Sequence, residues 1–167
     1  QKHELARAGH QRLRIIGNPA YDAVWGSWTG GEDTVVYAAQ IVTDQDKENG
    51  MWRMLRYLSQ VMETLPECRL IIKEHPEAPH WWEMRRELLL ERGLDPEFVR
   101  GGDPWDLMKR CKLLITVSST LGIEMGIAGG PGLFLDDICY KTKQHFAGSR
   151  MIANLDKLIA LAQQQLE

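Results

Sequence analysis

A chain of 167 residues is long enough for one domain with a full core. With 44% hydrophobic residues, 26% charged residues and a net charge of −3, it reads as a globular protein in water, and a nucleic-acid binder would need a strongly basic face. Three widely spaced cysteines, Cys68, Cys111 and Cys139, form no CxxC pair, so neither a disulfide framework nor a zinc site is expected, and a reducing compartment, the cytoplasm, is.

The opening QKHELARAGHQRLR is basic and carries no initiating methionine, so the chain reads as a piece of a longer protein; a solvated helix end explains the same charges. No signal-peptide pattern is visible, and no apolar run approaches the roughly 18 residues of a membrane span. RLRIIG, ending at Gly17, predicts a first strand, with NPAYDAV turning away from it. The polar stretch Gly26 to Asp33 predicts a surface loop, and the β-branched run from Thr34 to Ala39 a second strand. From Glu48 to Leu65, Met51, Leu55, Leu58, Val61, Met62 and Leu65 recur at three- and four-residue steps, which predicts an amphipathic helix closed by Pro66. CRLIIK predicts a third strand, stopped by the prolines of EHPEAP.

Trp81 to Arg92 predicts a charged helix ended by Gly93, FVRG a weak fourth strand, and DPWDLMKRC a short helix with Asp103 at its cap and Pro104 at its first position. Lys112 to Val117 and Pro131 to Leu135 predict two further strands around the helix of VSSTLGIEMGIAGG. LDKLIALAQQQLE predicts a closing helix capped by Asn154. Strands alternating with helices throughout, without an internal repeat or linker, imply one α/β domain: a Rossmann-like parallel sheet of about six strands with helices on both faces.

Ligands of open α/β sheets bind beyond the carboxyl ends of the strands. Four polar groups fall there: Gly17-Asn18-Pro19, Gln40, Lys73-Glu74-His75-Pro76 and Ser118-Ser119-Thr120. A lysine, a histidine, a hydroxyl cluster and the positive end of a helix dipole at one crevice suit a phosphate. Each residue also has an ordinary role open to it. Ser119 or Thr120 can be a helix cap, His75 a surface residue and Lys73 a solvated strand end. Glu124 stands in a helix that is apolar nearly all round, so its charge needs a partner. Trp25, Trp28, Trp81, Trp82 and Trp105 are expected to pack against the fold or a neighbouring domain and not to stack on bases, and Asp136 and Asp137 to be solvated. No metal site is expected.

GNPAYD, LIIKEHPE and ITVSSTLGIEMGIAGGPGLFL, in that order and spacing, resemble the C-terminal, donor-binding half of GT-B glycosyltransferases. The resemblance is to bacterial capsule and surface-polysaccharide enzymes: polysialyltransferases, Kdo transferases and CDP-glycerol glycerophosphotransferases. The layout is also similar to the C-terminal half of UDP-N-acetylglucosamine 2-epimerase. The resemblance runs from about Gly17 to Asp137. It implies a domain binding a CMP-, CDP- or UDP-activated sugar with no tightly bound cofactor, at the inner face of the membrane if the full-length protein associates peripherally. By the family's motifs, His75 with Pro76 contacts the donor phosphate and is the catalytic residue. Gly17, Asn18, Gln40, Lys73, Ser118, Ser119 and Thr120 complete the nucleotide and phosphate site, and Glu124 holds the ribose hydroxyls. The general base would belong to an N-terminal acceptor-binding domain that this chain lacks. Gly130 departs from the pattern, since the family commonly carries Lys or Arg before that proline. A 2-epimerase and a non-catalytic nucleotide-binding scaffold are the alternatives.

Overall fold

The computed structural model describes residues 19–40, 47–117, 119–135 and 150–152. The strand expected at 12–17, the helix after Asn154, and Gly17, Asn18, Ser118, Asp136 and Asp137 lie outside the described residues.

Six strands form one sheet: β1 (Glu32–Ala38), β2 (Arg69–Lys73), β3 (Glu97–Val99), β4 (Cys111–Thr116), β5 (Gly132–Leu135) and β6 (Arg150–Ile152), ordered β3-β2-β1-β4-β5-β6 with every pairing parallel. The chain builds outward from β1 on one side, then crosses over and builds outward on the other, as in Rossmann folds. Among the described residues four α-helices accompany the sheet: α1 (Lys47–Thr64), α2 (Arg86–Leu90), α3 (Trp105–Met108) and α4 (Leu121–Ala128).

Continuous apolar runs such as Val35-Val36-Tyr37-Ala38 are buried at every position because helices cover both faces of the sheet. On one face Val35, Tyr37, Leu70, Ile72, Leu113 and Ile115 pack with Met54, Leu55, Leu58 and Val61 of α1. On the other, Val36, Ala38, Ile71 and Leu114 pack with Met108 of α3 and Met125 of α4. The α/β reading of the sequence is therefore correct, and α1 lies within a residue of its expected bounds.

Three local expectations are corrected. Trp81 to Arg92 is not one helix: a 3-10 turn at Glu83–Arg85 precedes a short α2, because the N–H groups of Trp82 and Glu83 donate to the Glu74 carboxylate at 2.9 and 3.1 Å. Trp82 is buried edge-on against Tyr37, with ring centroids 5.6 Å apart, which pins this end of the segment to the core. The stretch Gly26 to Asp33 is no free surface loop. Trp28 is half-buried and donates its indole N–H to the Cys111 carbonyl at 3.0 Å, Thr29 N–H donates to the Lys109 carbonyl at 2.8 Å, and β1 already begins at Glu32. Finally, β6 pairs with β5 from a run of three residues, too short to show a period in the sequence. Of the five tryptophans expected to pack, Trp28, Trp81, Trp82 and Trp105 lie against the core, whereas Trp25 is 78% exposed.

Gly122 sets how closely α4 approaches β5. A Cβ there would lie 2.3 Å from the ring of Phe134, itself buried between the layers. Gly122→Ala is expected to lower the unfolding free energy by about 1–3 kcal/mol, the cost of overpacking a dense core. Chemical denaturation followed by circular dichroism measures it, and Gly126→Ala, where no atom lies within 4 Å of the added carbon, serves as the tolerant control.

Candidate functional site

The register of the sheet brings the polar loops level. Ala38 of β1 pairs with Lys73 of β2 on one side and with Thr116 of β4 on the other, so the three strands finish on one line. The order in which strands are added across the sheet reverses between β1 and β4, and such a switch point leaves a crevice at the carboxyl edge. A cavity of about 190 Å³ lies there. Gln40 borders it after β1, Lys73 to Pro76 after β2, Gly101 and Gly102 after β3, and Ser119 after β4.

Lys73 is the last residue of β2 and only 7% exposed, yet it borders this cavity. Among the described residues its ammonium reaches only the Glu74 carbonyl, at 3.4 Å, and no carboxylate. A buried cation in that condition has lost its hydration without gaining a counter-charge. His75, two residues on, accepts the Glu77 N–H on Nδ1 at 3.2 Å. In the neutral ring the proton then sits on Nε2, which makes that nitrogen a donor.

Across the switch point, Thr116 ties the strand ends together. Its hydroxyl donates to the Ala38 carbonyl and accepts the Ser119 N–H, each at 3.2 Å. Ser119 Oγ accepts the Leu121 N–H at 3.3 Å, so this residue caps α4 while its hydroxyl proton stays available to a ligand. Thr120 is exposed, makes no side-chain cap and does not border the cavity. The structure therefore gathers Gln40, Lys73, His75, Pro76 and Ser119 around one cavity, with the amino end of α4 facing the same edge.

Glu124 stands in the first turn of α4, half-buried and off the cavity wall. Burial, and after it the negative charge of Asp103 on the neighbouring loop, hold its carboxyl above the ordinary carboxylate range. Among the described residues no group of three or more metal-ligating side chains is present, and no helix is long and apolar enough to cross a membrane.

A family model described as "Putative glycosyltransferase (DUF6716)" matches residues 12–166. The chain belongs to this family. Protein FixF of Sinorhizobium fredii is 26% identical over 113 residues, which cover 66% of this chain and 27% of FixF. Among solved structures, a Thermobaculum terrenum O-GlcNAc transferase (K341M mutant) superposes with a TM-score of 0.59 at 14% identity, over 89% of this chain and 31% of that one. A protein described as "putative UDP-N-acetylglucosamine 2-epimerase" from Listeria monocytogenes superposes with a TM-score of 0.54 at 18% identity, over 92% and 40%. At these identities the likeness shows the fold, a GT-B-type Rossmann-like sheet. The chain spans well under half the length of each of these relatives.

Two features of this DUF6716 chain were not legible in its motifs. Gly101 and Gly102 have φ of 60° and 67°, a left-handed conformation that glycine adopts without cost, and they turn the backbone after β3 along the cavity wall. The paired glycines were the available signal, hidden because FVRG was read as a strand running through Gly101. The departure at Gly130 has a steric cause: a Cβ there would lie 2.6 Å from Met125 Sδ and 2.8 Å from the Trp28 ring. Trp28 fills the space that a longer side chain at position 130 would need.

The raised pKa of Glu124 fixes a sign. A carboxyl that holds its proton more tightly in the folded state costs stability as pH rises and it ionises. Glu124→Gln is thus expected to melt at a higher temperature than the parent at pH 7, with the gap closing as pH falls to about 4, where the free carboxyl is itself protonated. Melting curves across that range measure the effect.

Proposed function

We propose that this chain is the donor-nucleotide-binding, C-terminal half of a two-domain GT-B glycosyltransferase, and that its cavity holds the phosphate of a CMP-, CDP- or UDP-activated sugar. The observation that carries the reading is Lys73: a lysine 7% exposed, bordering a cavity, with a lone carbonyl as its described partner. An anion in the cavity would supply the missing counter-charge, and a phosphate matches the surrounding donors. Membership of a family described as glycosyltransferases, and a fold shared with enzymes named for sugar transfer and a sugar-nucleotide epimerase, support a sugar nucleotide over other phosphates.

In this reading the sugar leaves the donor by cleavage of its bond to a phosphate oxygen, and negative charge grows on the departing nucleotide. Groups already aimed at that charge lower the barrier most. Lys73 supplies a full positive charge, the Nε2–H of His75 and the hydroxyl of Ser119 supply hydrogen bonds, and the amino end of α4 supplies its dipole. His75 is accordingly the catalytic residue of this half. The acceptor and the base that deprotonates it belong to an N-terminal domain. Glu124, beside the cavity on α4, holds the ribose hydroxyls. Synthesis of a surface or capsular polysaccharide at the inner face of the membrane is the setting that the sequence motifs suggest.

Calorimetric titration with CMP, CDP, UMP, UDP and ADP tests the site. Binding of at least one pyrimidine nucleotide is expected; absence of heat with all of them at millimolar concentration would overturn the reading. Lys73→Met, which removes the charge at similar volume, is expected to weaken that binding roughly tenfold to hundredfold, as for a lost hydrogen bond between charged partners. Unchanged affinity would show that the phosphate lies elsewhere.

The ribose assignment has its own test. Glu124→Gln and removal of the 2′- and 3′-hydroxyls from the nucleotide are each expected to weaken binding by about 1.5–3 kcal/mol. Together they should cost little more than either alone, because both remove one interaction. Equal dideoxy penalties in parent and variant would disprove the assignment.

A further inference from the structure

Glu74 stands between the two residues assigned to phosphate, and its side chain, 1% exposed, is the most enclosed charge at this edge of the sheet. One carboxylate oxygen accepts the N–H groups of Trp82 and Glu83 at 2.9 and 3.1 Å. The other accepts the N–H of His80 and the Nε–H of Arg100 at 3.3 Å. Arg100 also pairs with Glu83, whose carboxylate meets His80 Nδ1 at 2.9 Å. The segment after His75 thus winds round a single anion that satisfies donors six, eight and nine residues away in the chain.

That arrangement contributes little to the hydrophobic core and much to the cavity wall. The same residue's N–H donates to the Val99 carbonyl at 3.0 Å, joining β2 to the end of β3, and its carbonyl is what the Lys73 ammonium reaches. Arg100 immediately precedes the Gly101-Gly102 turn that borders the cavity. His75 is held by the loop that the carboxylate gathers, through Glu77 N–H on its Nδ1 and Ala78 N–H on its carbonyl at 3.0 Å. His80 has φ of 70°, unusual for a residue with a side chain, and its N–H is one of those Glu74 receives. Local turns at His75–Ala78 and Ala78–Trp81 shape parts of this loop, and the carboxylate is the group that ties His80, Trp82 and Glu83 to one point.

We infer that Glu74 is a positioning residue: its buried carboxylate fixes the loop after β2 so that His75 and Lys73 face the anion cavity together. This rests on the reading of that cavity as a phosphate site, and it concerns how the site is held in shape before any ligand arrives. Neutralising the anion would leave backbone donors without an acceptor. A glutamine at position 74 keeps the shape but offers one acceptor oxygen, and its amide N–H groups oppose the other donors. The loop would then have to open to find water, carrying His75 with it.

The test pairs a ligand-free signal with a binding cycle. In the free chain, nitrogen NMR of the His75 ring is expected to show Nδ1 as the acceptor nitrogen. Glu74→Gln should erase that preference while Trp82 stays buried by fluorescence. Arg100→Gln, which removes one donor and leaves the backbone donors in place, should shift the His75 signals in the same direction by less, and it covers the case in which Glu74→Gln fails to fold. Whichever nucleotide binds the parent chain should bind Glu74→Gln about tenfold more weakly, whereas in a His75→Ala background the same change should cost distinctly less, since the part of its effect that acts through His75 is already gone and only the part through Lys73 remains.

An unchanged His75 signature in both Glu74→Gln and Arg100→Gln would overturn the inference. So would an equal loss of affinity with and without His75, which marks a general structural role. If no nucleotide binds the parent, the phosphate reading fails, and the ring signature alone still decides whether Glu74 sets the loop.

Discussion

The molecule depends on one alignment. β1 lies at the centre of the sheet, and Ala38 pairs with Lys73 on one flank and Thr116 on the other. Parallel pairing brings all carboxyl ends to one edge, but the register decides whether neighbouring loops meet or pass one another. Here they meet, and Thr116 fastens the junction by donating to β1 and accepting from the turn into α4. A one-residue slip would turn Lys73 into the opposite layer and carry the apolar faces with it.

At that edge two adjacent residues bury opposite charges and meet the cost differently. Glu74 is enclosed by three backbone N–H groups and a guanidinium, so its solvation is replaced by protein donors. Lys73 has one carbonyl at 3.4 Å and a cavity beside it. They do not pair with each other; Glu74 pairs with Arg100. An anion that fully satisfied Lys73 from within the chain would close the cavity to any ligand. The two are neighbours in the sequence, yet one charge is saturated by protein donors and the other is not, and the proposed phosphate site rests on that contrast.

The fold alone does not specify chemistry, since doubly wound sheets serve many functions. What separates this sheet from a bare scaffold is where its polar groups are spent. One face is sealed by α1 and the other by α3 and α4, and both faces are apolar. Among the described residues the buried polar ones are Thr34, Lys73, Glu74 and Thr116, of which three lie at the carboxyl edge. Membership of DUF6716 adds a family expectation to that distribution, and the chain spans about a third or less of the length of FixF and of the O-GlcNAc transferase it resembles.

Much of this was readable along the chain. Buried strands announce themselves as apolar runs, α1 by its three- and four-residue spacing, and a strand-helix alternation leaves parallel pairing as the economical topology. Those signals are local, so residues 32–38, 47–64, 69–73 and 111–116 were placed to within a residue or two. Gln40, Lys73, His75 and Ser119 were found because the carboxyl ends of parallel strands share an edge by topology alone. The Trp81–Arg92 segment failed for the opposite reason: its helical charge pattern was overruled by the Glu74 carboxylate, a partner eight and nine residues distant that no periodicity encodes. Gly130 and Trp28 are likewise remote in sequence and adjacent in space. Hydrophobic period is a property of a few consecutive residues, whereas the satisfaction of a buried charge depends on donors that folding collects from separate strands. The layers were therefore written in the chain, and only the packed structure decided that the Glu74 carboxylate is surrounded by donors while the Lys73 ammonium borders a cavity.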